Sequence, residues 1–326
     1  MRQGLALVVL AIATHLHAGV RGTVMTADGK PIAGATVKAF AIETTETRNE
    51  RLMSAKPERI TIGTATTSSS GDFLLDAGKA SVIDLQIFAT AYAPAFTKAL
   101  GDDDIGAMVL AASPMKSGKV SASGKPVAGA ILVWGNYETQ TGDNGAYSVP
   151  EVTARVNVSV FHPGFAPLLN QPADPQHRNY DIALSSGVPV SGIVTGADGK
   201  TPVAHATIRI DGYPIGESDD AGAFTIARAP RLWKEIQAVT AGQAGARTRR
   251  DGISSIRIIL GNAATLNGSV RDTTAKPVSG LSLTLSRKDF GGPVEVVLTD
   301  EKGNFTFPPT LAGTYRLAGY HPSYIM

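Results

Sequence analysis

The chain has no cysteine among its 326 residues. Disulfide staples, thiolate-bound zinc and a lipid anchor on an N-terminal cysteine are therefore excluded. Its 30 lysines and arginines face 28 aspartates and glutamates, so there is no basic footprint for nucleic acid. Aromatic residues make up only 6% of the chain. After the N-terminal segment, no apolar run reaches the roughly 18 residues that a membrane-spanning helix needs.

Sequence patterns of common catalytic sites are also missing, since the chain contains neither HExxH nor GxSxG. No histidine after residue 18 has a second histidine or a glutamate at metal-ligand spacing. The carboxylates of Asp102, Asp103 and Asp104 are adjacent, whereas a calcium loop needs ligands that are spaced to wrap around the ion. We therefore predict no catalytic residue, no metal site and no cofactor.

The chain is rich in glycine (35 residues) and proline (19 residues), and one repeated stretch uses both. It begins at Gly22 as GTVMTADGKPIAGATV and returns from Gly118, Gly192 and Gly268, at spacings of 96, 74 and 76 residues. Apolar and polar residues alternate after the turn, which is typical of a half-buried strand. Glycine supplies the positive φ of a tight turn, and proline presets its own φ. The period suits a small β-domain rather than a solenoid.

A second pattern recurs downstream of each corner. It is a polar turn, a glycine and then an aromatic residue two positions later. The four pairs are Gly71 and Phe73, Gly145 and Tyr147, Gly222 and Phe224, and Gly303 and Phe305. We expect the aromatic residue to begin a strand and to fill the core.

The corner GKPxxGAxV, the polar turn with GxF and a late strand that ends in an aromatic residue together resemble the carboxypeptidase regulatory-like domain. This resemblance implies an all-β chain: a tandem array of four small transthyretin-like Greek-key β-sandwich domains after a signal peptide, the last one incomplete. His205 departs from the pattern, because the other copies have glycine there. The zinc peptidase domain that often accompanies this family has no counterpart here, so the resemblance implies a chain that is not an enzyme.

The chain divides into five predicted segments. Residues 1–18 carry Arg2 and a short apolar run, which is typical of a signal peptide cleaved after Ala18 or Ala13. The four units are predicted at 19–112, 113–186, 187–262 and 263–326. Unit 1 is longer because residues 43–59 are inserted, and we interpret this charged insertion as a surface loop.

Unit 4 is expected to lack its final strand. Units 1 to 3 each end with an apolar strand, at 107–110, 180–184 and 256–260, whereas the matching position in unit 4 is Tyr324, followed by two residues. A sandwich without that strand leaves unpaired N–H and C=O groups. Two explanations stay open. Either the chain is a fragment of a longer product, or a partner donates the strand.

Five residues are candidates for a binding or contact surface. Ile131 and Val133 point outward by strand alternation, where units 1 and 3 have polar residues, so they are predicted to lie on a covered face. Starch-binding sandwiches, which are similar to this family, stack sugar rings on exposed aromatic residues. The candidates for that role here are Tyr137, Tyr213 and Trp233, which fall near loops.

These features favour an exported, non-catalytic structural or interaction protein in the periplasm, at the cell surface or outside the cell. Its partner at the cell envelope would be a protein or a glycan, which the sequence does not identify. One alternative is a carbohydrate-binding module protein. The other is an accessory segment of a larger peptidase or outer-membrane receptor.

Overall fold

The computed structural model describes residues 19–78, 82–151, 155–173, 180–248, 255–288 and 295–322. In these ranges the chain forms 28 strands and one helix, and the strands fall into consecutive pairs of sheets. The prediction of an all-β fold is confirmed. We name the four sheet pairs units 1 to 4 in chain order; their boundaries near residues 112, 186 and 262 stay predictions. The predicted signal peptide lies outside the described residues.

Unit 1 contains the helix and seven strands. Their bounds are β1 Val20–Thr26, β2 Thr36–Phe40, α1 Thr45–Met53, β3 Thr61–Thr66, β4 Asp72–Leu75, β5 Val82–Phe88, β6 Ala95–Leu100 and β7 Asp104–Leu110. The first sheet has the order β4-β1-β7, in which β1 is antiparallel to β4 and parallel to β7. The second sheet has the order β3-β2-β5-β6. The core lies between the two sheets.

Unit 2 repeats this arrangement. Its strands are β8 Met115–Ala122, β9 Lys125–Pro126, β10 Ile131–Trp134, β11 Tyr137–Gln140, β12 Ala146–Pro150, β13 Val156–Phe161, β14 Leu168–Ala173 and β15 Ile182–Leu184. The first sheet runs β12-β8-β15, with the short β9 beside β8, and the second runs β11-β10-β13-β14. As in unit 1, the central strand of the first sheet has a parallel neighbour, here β15.

Unit 3 has the same two sheets with one added short strand. Its strands are β16 Val188–Thr195, β17 Thr207–Ile210, β18 Tyr213–Glu217, β19 Ala223–Ala229, β20 Glu235–Val239, β21 Gln243–Thr248, β22 Ser255–Ile259 and β23 Gly261–Asn262. The sheet orders are β19-β16-β22 and β18-β17-β20-β21-β23.

Unit 4 is smaller. Its strands are β24 Asn267–Ser269, β25 Ser282–Arg287, β26 Glu295–Leu298, β27 Asn304–Thr306 and β28 Tyr315–Tyr320. Strand β24 pairs with β27, and the second sheet runs β26-β25-β28. In the described part of this unit, β24 has no parallel neighbour like β7, β15 or β22, and β28 lies at a sheet edge. Within residues 263–288 and 295–322, unit 4 therefore has no final strand, as the sequence predicted.

The two repeated sequence patterns meet in space in every unit. The aromatic residue of the polar turn lies over the leading glycine of the corner, and a Cβ added at Gly192 would lie 2.6 Å from Cζ of Phe224. The turn glycine lies equally close to the backbone of the first strand. At Gly71, φ is +80°, and an added Cβ would lie 2.5 Å from the carbonyl oxygen of Val24. Only glycine fits such positions without displacing its neighbours.

A buried hydroxyl, which the corner pattern itself does not include, closes each corner. Thr67 donates to the carbonyl oxygen of Ile32 at 2.7 Å and accepts from the backbone N–H of Ala35 at 2.8 Å. The equivalent hydroxyls make the same pair of bonds in the other units; they belong to Thr141, Ser218 and Thr299. Each lies four residues before the turn glycine, so the repeat contains a detectable signal for them.

The interpretation of residues 43–59 as a surface loop is wrong. Residues 45–53 form helix α1, whose N-cap Thr44 accepts a hydrogen bond from the backbone N–H of Thr47 at 3.2 Å. Glu46 lies in the first turn and Arg51 in the last turn, where each charge suits the helix dipole. The side chain of Leu52 is fully buried. The N-cap of Thr44 and the charges in the terminal turns favour the helix, and one face of it, formed by Asn49, Arg51 and Leu52, is buried against other units.

The outward face of unit 2 joins the core of unit 3. Ile131, Val133, Phe161 and Leu169 belong to one continuous buried cluster with Leu52 of α1 and with unit 3. The unit 3 members include Ile208, Ile210, Tyr213 and Ile236. We call this cluster the inter-unit core. Units 2 and 3 thus share apolar packing that includes Leu52 of unit 1, and Met53 and Ala55 of unit 1 pack against it.

Candidate functional site

Seven charged side chains of alternating sign run along the second sheet of unit 1, through α1 and into unit 2. In order, this ion-pair chain consists of Lys98, Asp84, Arg59, Glu43, Arg51, Glu138 and Arg48. Asp84 accepts from Lys98 Nζ at 2.5 Å and from Arg59 Nη2 at 2.7 Å. Glu43 accepts from Arg51 Nε at 2.6 Å and from Nη2 at 2.9 Å.

Arg51, the fifth member of the ion-pair chain, joins unit 1 to unit 2, as Arg48 also does through Glu138. Its Nη2 also donates to Glu138 Oε2 at 2.9 Å, and only 8% of its side chain is exposed. Burial lowers the pKa of Arg51, but hydrogen bonds and charges from Glu43 and Glu138 outweigh burial, so its pKa is raised overall. The guanidinium therefore stays charged although it is buried.

Arg59 extends the chain in two directions. Its Nε lies 3.3 Å from Glu43 Oε2, a charge–charge contact without hydrogen-bond geometry. Its guanidinium carbon lies 4.7 Å from the centre of the Phe40 ring, within the range of a cation–π contact. Together these contacts place Arg59 and Asp84 in one wall of a cavity.

The central cavity lies between all four units and has a volume of about 880 Å³. Unit 1 contributes most of the ion-pair chain together with Gln86, Phe96 and Thr97. Unit 2 contributes Asn136, Glu138, Asn157 and Asn170. Unit 3 contributes Asp211, Gly212 and Tyr213, and unit 4 contributes Val296 and Tyr320. The cavity is therefore a product of the arrangement of the units rather than of any one sandwich.

Helix α1 holds units 3 and 4 at this cavity through hydrogen bonds. Asn49 Nδ2 donates to the carbonyl oxygen of Gly212 in unit 3 at 3.3 Å. The backbone N–H of Val296 in unit 4 donates to Thr45 Oγ1 at 2.7 Å. A single nine-residue helix thus contacts the three units that follow it.

The structure places Ile131 and Val133 in the inter-unit core, with 1% and 6% of their surfaces exposed. Ile131 lies opposite Phe161 in the β10–β13 register. The ring centre of Phe161 lies 5.3 Å from that of Tyr213 in unit 3. In this arrangement the outward face of β10 is covered by another unit.

The three aromatic candidates lie at contacts between elements. Tyr213 is 8% exposed, so its position does not match that of an exposed stacking platform. Tyr137 is half-buried, packs edge-on against Phe88 of unit 1 at 6.2 Å, and has a pKa raised by burial. Trp233 is partly buried against the inter-unit core. Of the three, only Tyr213 lines the central cavity.

His162 and Asp104 are held in local structure. His162 Nδ1 accepts from the backbone N–H of Gly164 at 3.0 Å, which stabilises the turn before β14. Asp104 accepts from Arg21 Nε at 2.9 Å and from the backbone N–H of Gly106 at 3.1 Å. Within the described ranges, no group of three or more histidine, aspartate or glutamate side chains is arranged to hold a metal ion.

Apart from Tyr213, sequence reasoning missed the cavity residues. The alternation in Ile83, Asp84, Leu85 and Gln86 marks Asp84 and Gln86 as outward-facing on β5, which is a usable signal. The pairing of Glu138 with Arg51, 87 residues away, has no signal in a single sequence. Chemically, the site combines a neutralised polar wall with amide groups and aromatic rings, which suits binding rather than proton transfer.

Comparison with known proteins supports the fold. The model of the carboxypeptidase regulatory-like domain matches residues 265–324, which lie in unit 4. The predicted resemblance is confirmed for that segment. A search of curated protein sequences finds no match to the chain. No helix in the described ranges is long and apolar enough to cross a membrane.

Several solved structures of tandem β-domain proteins are similar. The Bacillus anthracis TIE protein is 12% identical, with 88% of this chain and 66% of that chain covered and a TM-score of 0.20. A streptococcal ancillary pilin is 9% identical, with 74% and 98% covered and a TM-score of 0.21. Two B repeat units of the collagen-binding protein of Staphylococcus aureus are 12% identical, with 93% and 92% covered and a TM-score of 0.19. At these values the likeness carries no functional argument.

Proposed function

We propose that this chain is an exported, non-catalytic structural or interaction protein of the cell envelope, in which α1 holds four β-sandwich units in one fixed arrangement. The observation that carries this proposal is the contact of α1 with every later unit, through the buried Arg51 and Asn49 and the partly buried Thr45. Independent units on a string would not bury charged and apolar side chains against one another. A fixed arrangement gives the protein a constant shape with which to hold a partner.

Two further observations support the non-catalytic and exported parts of the proposal. The carboxylates of Glu43, Asp84 and Glu138 in the cavity wall each lie in ion pairs with arginine or lysine. Such pairing suits a scaffold, whereas a general acid needs a carboxyl group that holds its proton near neutral pH. Residues 1–18 have the composition of a signal peptide.

A substitution in the helix tests the fixed arrangement. Leu52→Asp puts a charge into the inter-unit core, so we expect a larger radius of gyration in small-angle X-ray scattering and the loss of a single cooperative unfolding transition. Leu74→Asp is the matched control, because Leu74 is 55% exposed on β4. A wild-type protein that already scatters like an extended string of units would refute the proposal.

Export is tested separately. Expression of the full chain in a bacterial host, followed by fractionation and N-terminal mass determination, should give a protein outside the cytoplasm that starts after Ala18 or Ala13. An unprocessed chain that stays in the cytoplasm would contradict export without affecting the arrangement of the units.

A further inference from the structure

Four amide side chains that make no hydrogen bond within the described residues line the central cavity. They belong to Gln86, Asn136, Asn157 and Asn170. All four are half-buried or exposed, and across the described ranges their side chains make no hydrogen bond. Each amide offers two donors and an acceptor. These groups are complementary to hydroxyl groups, which also both donate and accept.

Charged groups in the same wall already lie in ion pairs or hydrogen bonds. Arg48, Arg59 and Lys98 each have a carboxylate within 3.2 Å. Asp211 Oδ1 accepts from the backbone N–H groups of Lys234 and Glu235 at 3.0 and 2.9 Å. A charged ligand would have to break one of these interactions to find a partner. The cavity chemistry therefore favours an uncharged ligand.

Two further aromatic rings line the cavity besides that of Tyr213. Phe96 is half-buried and lies opposite Gln86 in the β5–β6 register, so an amide and a ring face the cavity side by side. Tyr320 of unit 4 is 47% exposed. Within the described ranges neither ring packs against another aromatic ring. Their faces offer apolar surface next to the amide groups.

We propose that the central cavity binds a neutral oligosaccharide. The amides hydrogen-bond its hydroxyl groups, and Phe96 and Tyr320 pack against the C–H faces of its rings. The volume of about 880 Å³ lies within the ~300–1,000 Å³ that is usual for small-molecule sites. The inference rests on the proposed function in one respect, since the cavity exists only while the four units stay together.

Isothermal titration calorimetry on the full chain tests the proposal. The probes are maltohexaose, cellohexaose, xylohexaose and the hexamer of N-acetylglucosamine, with an oligogalacturonate as the anionic comparison. We expect saturable binding of at least one neutral probe at or below about 1 mM, and no binding of the anionic probe.

Variants then locate the binding. We expect Phe96→Ala to weaken it about tenfold and Asn157→Ala at least about threefold. The matched controls are Leu232→Ala, at a residue that is 60% exposed, and Asn267→Ala on β24. Neither Leu232 nor Asn267 lines the cavity, so both controls should bind like the wild type.

Three results would overturn the inference. They are no heat from any neutral probe at about 10 mM, equal binding by the wild type and Phe96→Ala, or binding of the anionic probe alone. Scattering on the same samples separates the causes. A compact protein that does not bind refutes the oligosaccharide site alone, whereas an extended protein refutes both the site and the fixed arrangement of the units.

Discussion

Arg51 of unit 1 and Glu138 of unit 2 form an ion pair of 2.9 Å, with only 8% and 21% of their side chains exposed. Glu138 accepts a second bond from Arg48, and Arg51 holds Glu43 on its other side. A buried charge is tolerated when it is paired and hydrogen-bonded. The buried charge of each residue is therefore compensated by a residue of the other unit.

Replacement of the arginine should be costly. Arg51→Met leaves Glu43 and Glu138 without their shared partner in a buried site, so we expect the free energy of unfolding to fall by about 3 kcal/mol in urea titrations. Arg21→Met is the control, because the Arg21–Asp104 pair is more than half exposed on both sides. That change should cost about 0–1 kcal/mol. Equal costs for the two variants would contradict the role of Arg51.

The covered face of unit 2 gives a second prediction. Ile131→Thr removes apolar contact and buries a hydroxyl at a position with 1% exposure, so we expect a loss of roughly 2 kcal/mol. Ile259→Thr is the matched control, since Ile259 is 39% exposed and its replacement should change stability by less than about 0.5 kcal/mol. Both are measured by chemical unfolding. A small effect at Ile131 would mean that this face is not packed in solution.

One histidine occupies a backbone position that favours glycine. His205 has a φ of +55°, where the equivalent Gly34 and Gly129 have +73° and +72°. Its ion contacts are exposed and worth little. We expect His205→Gly to raise the free energy of unfolding by roughly 0.5 kcal/mol, because the left-handed strain exceeds the entropy cost of glycine.

The reciprocal variant is the control for this effect. A Cβ at Gly34 would meet nothing within 4 Å, so Gly34→His tests the backbone cost alone and should destabilise by roughly 0.5–1 kcal/mol. If both variants destabilise the protein, the contacts of His205 outweigh its backbone strain.

Glu295 gives a pH dependence. Burial raises its pKa, the charge of Arg209 lowers it in part, and Glu46 adds to the rise. The folded protein therefore favours the protonated form, and the contribution of this group to stability is present below its unfolded pKa and is lost as pH rises through the folded value. We expect Glu295→Gln to gain stability relative to the wild type as the pH rises above the unfolded pKa of a glutamate, about 4.3, as measured by urea unfolding.

Asp198 provides a control of opposite sign. Hydrogen bonds from the Thr201 hydroxyl and then from the backbone N–H groups of Lys200 and Thr201 lower its pKa to about 2. Its contribution is present above its unfolded pKa and is lost as pH falls through about 2. Asp198→Asn should thus be less stable than the wild type at pH 7 but not at pH 2. The same pH trend in both variants would contradict the assignment.

Limited proteolysis tests the predicted boundaries. We expect the first cuts near residues 112, 186 and 262, in connectors between units, and none in α1 while Leu52 is buried. The products are identified by mass spectrometry. Leu52→Asp should expose the helix and add cuts within residues 43–59. Early cuts inside β1, β8 or β16 would show that the units are wrongly divided.

The sequence alone determined the sandwiches and their corners. Turn glycines, the aromatic residue two positions later and the alternation in strands such as β2 and β17 act over a few residues, so a local pattern can encode them. The outward phase of Ile131 and Val133 was also readable, because alternation along a strand assigns each side chain to a face. The sequence did not show that unit 3 covers that face, because alternation records only the side on which a residue lies.

Only the tertiary structure decided the burial of α1, the ion-pair chain and the cavity. The many charges in residues 43–59 favour a solvated loop, yet Arg51 is buried because Glu138 of another unit pairs with it. Likewise, Gln86 and Asn157 share a cavity only because two sheets from different units face each other. Contacts between surfaces far apart in the chain depend on how the units pack, and no periodicity within one unit records that packing.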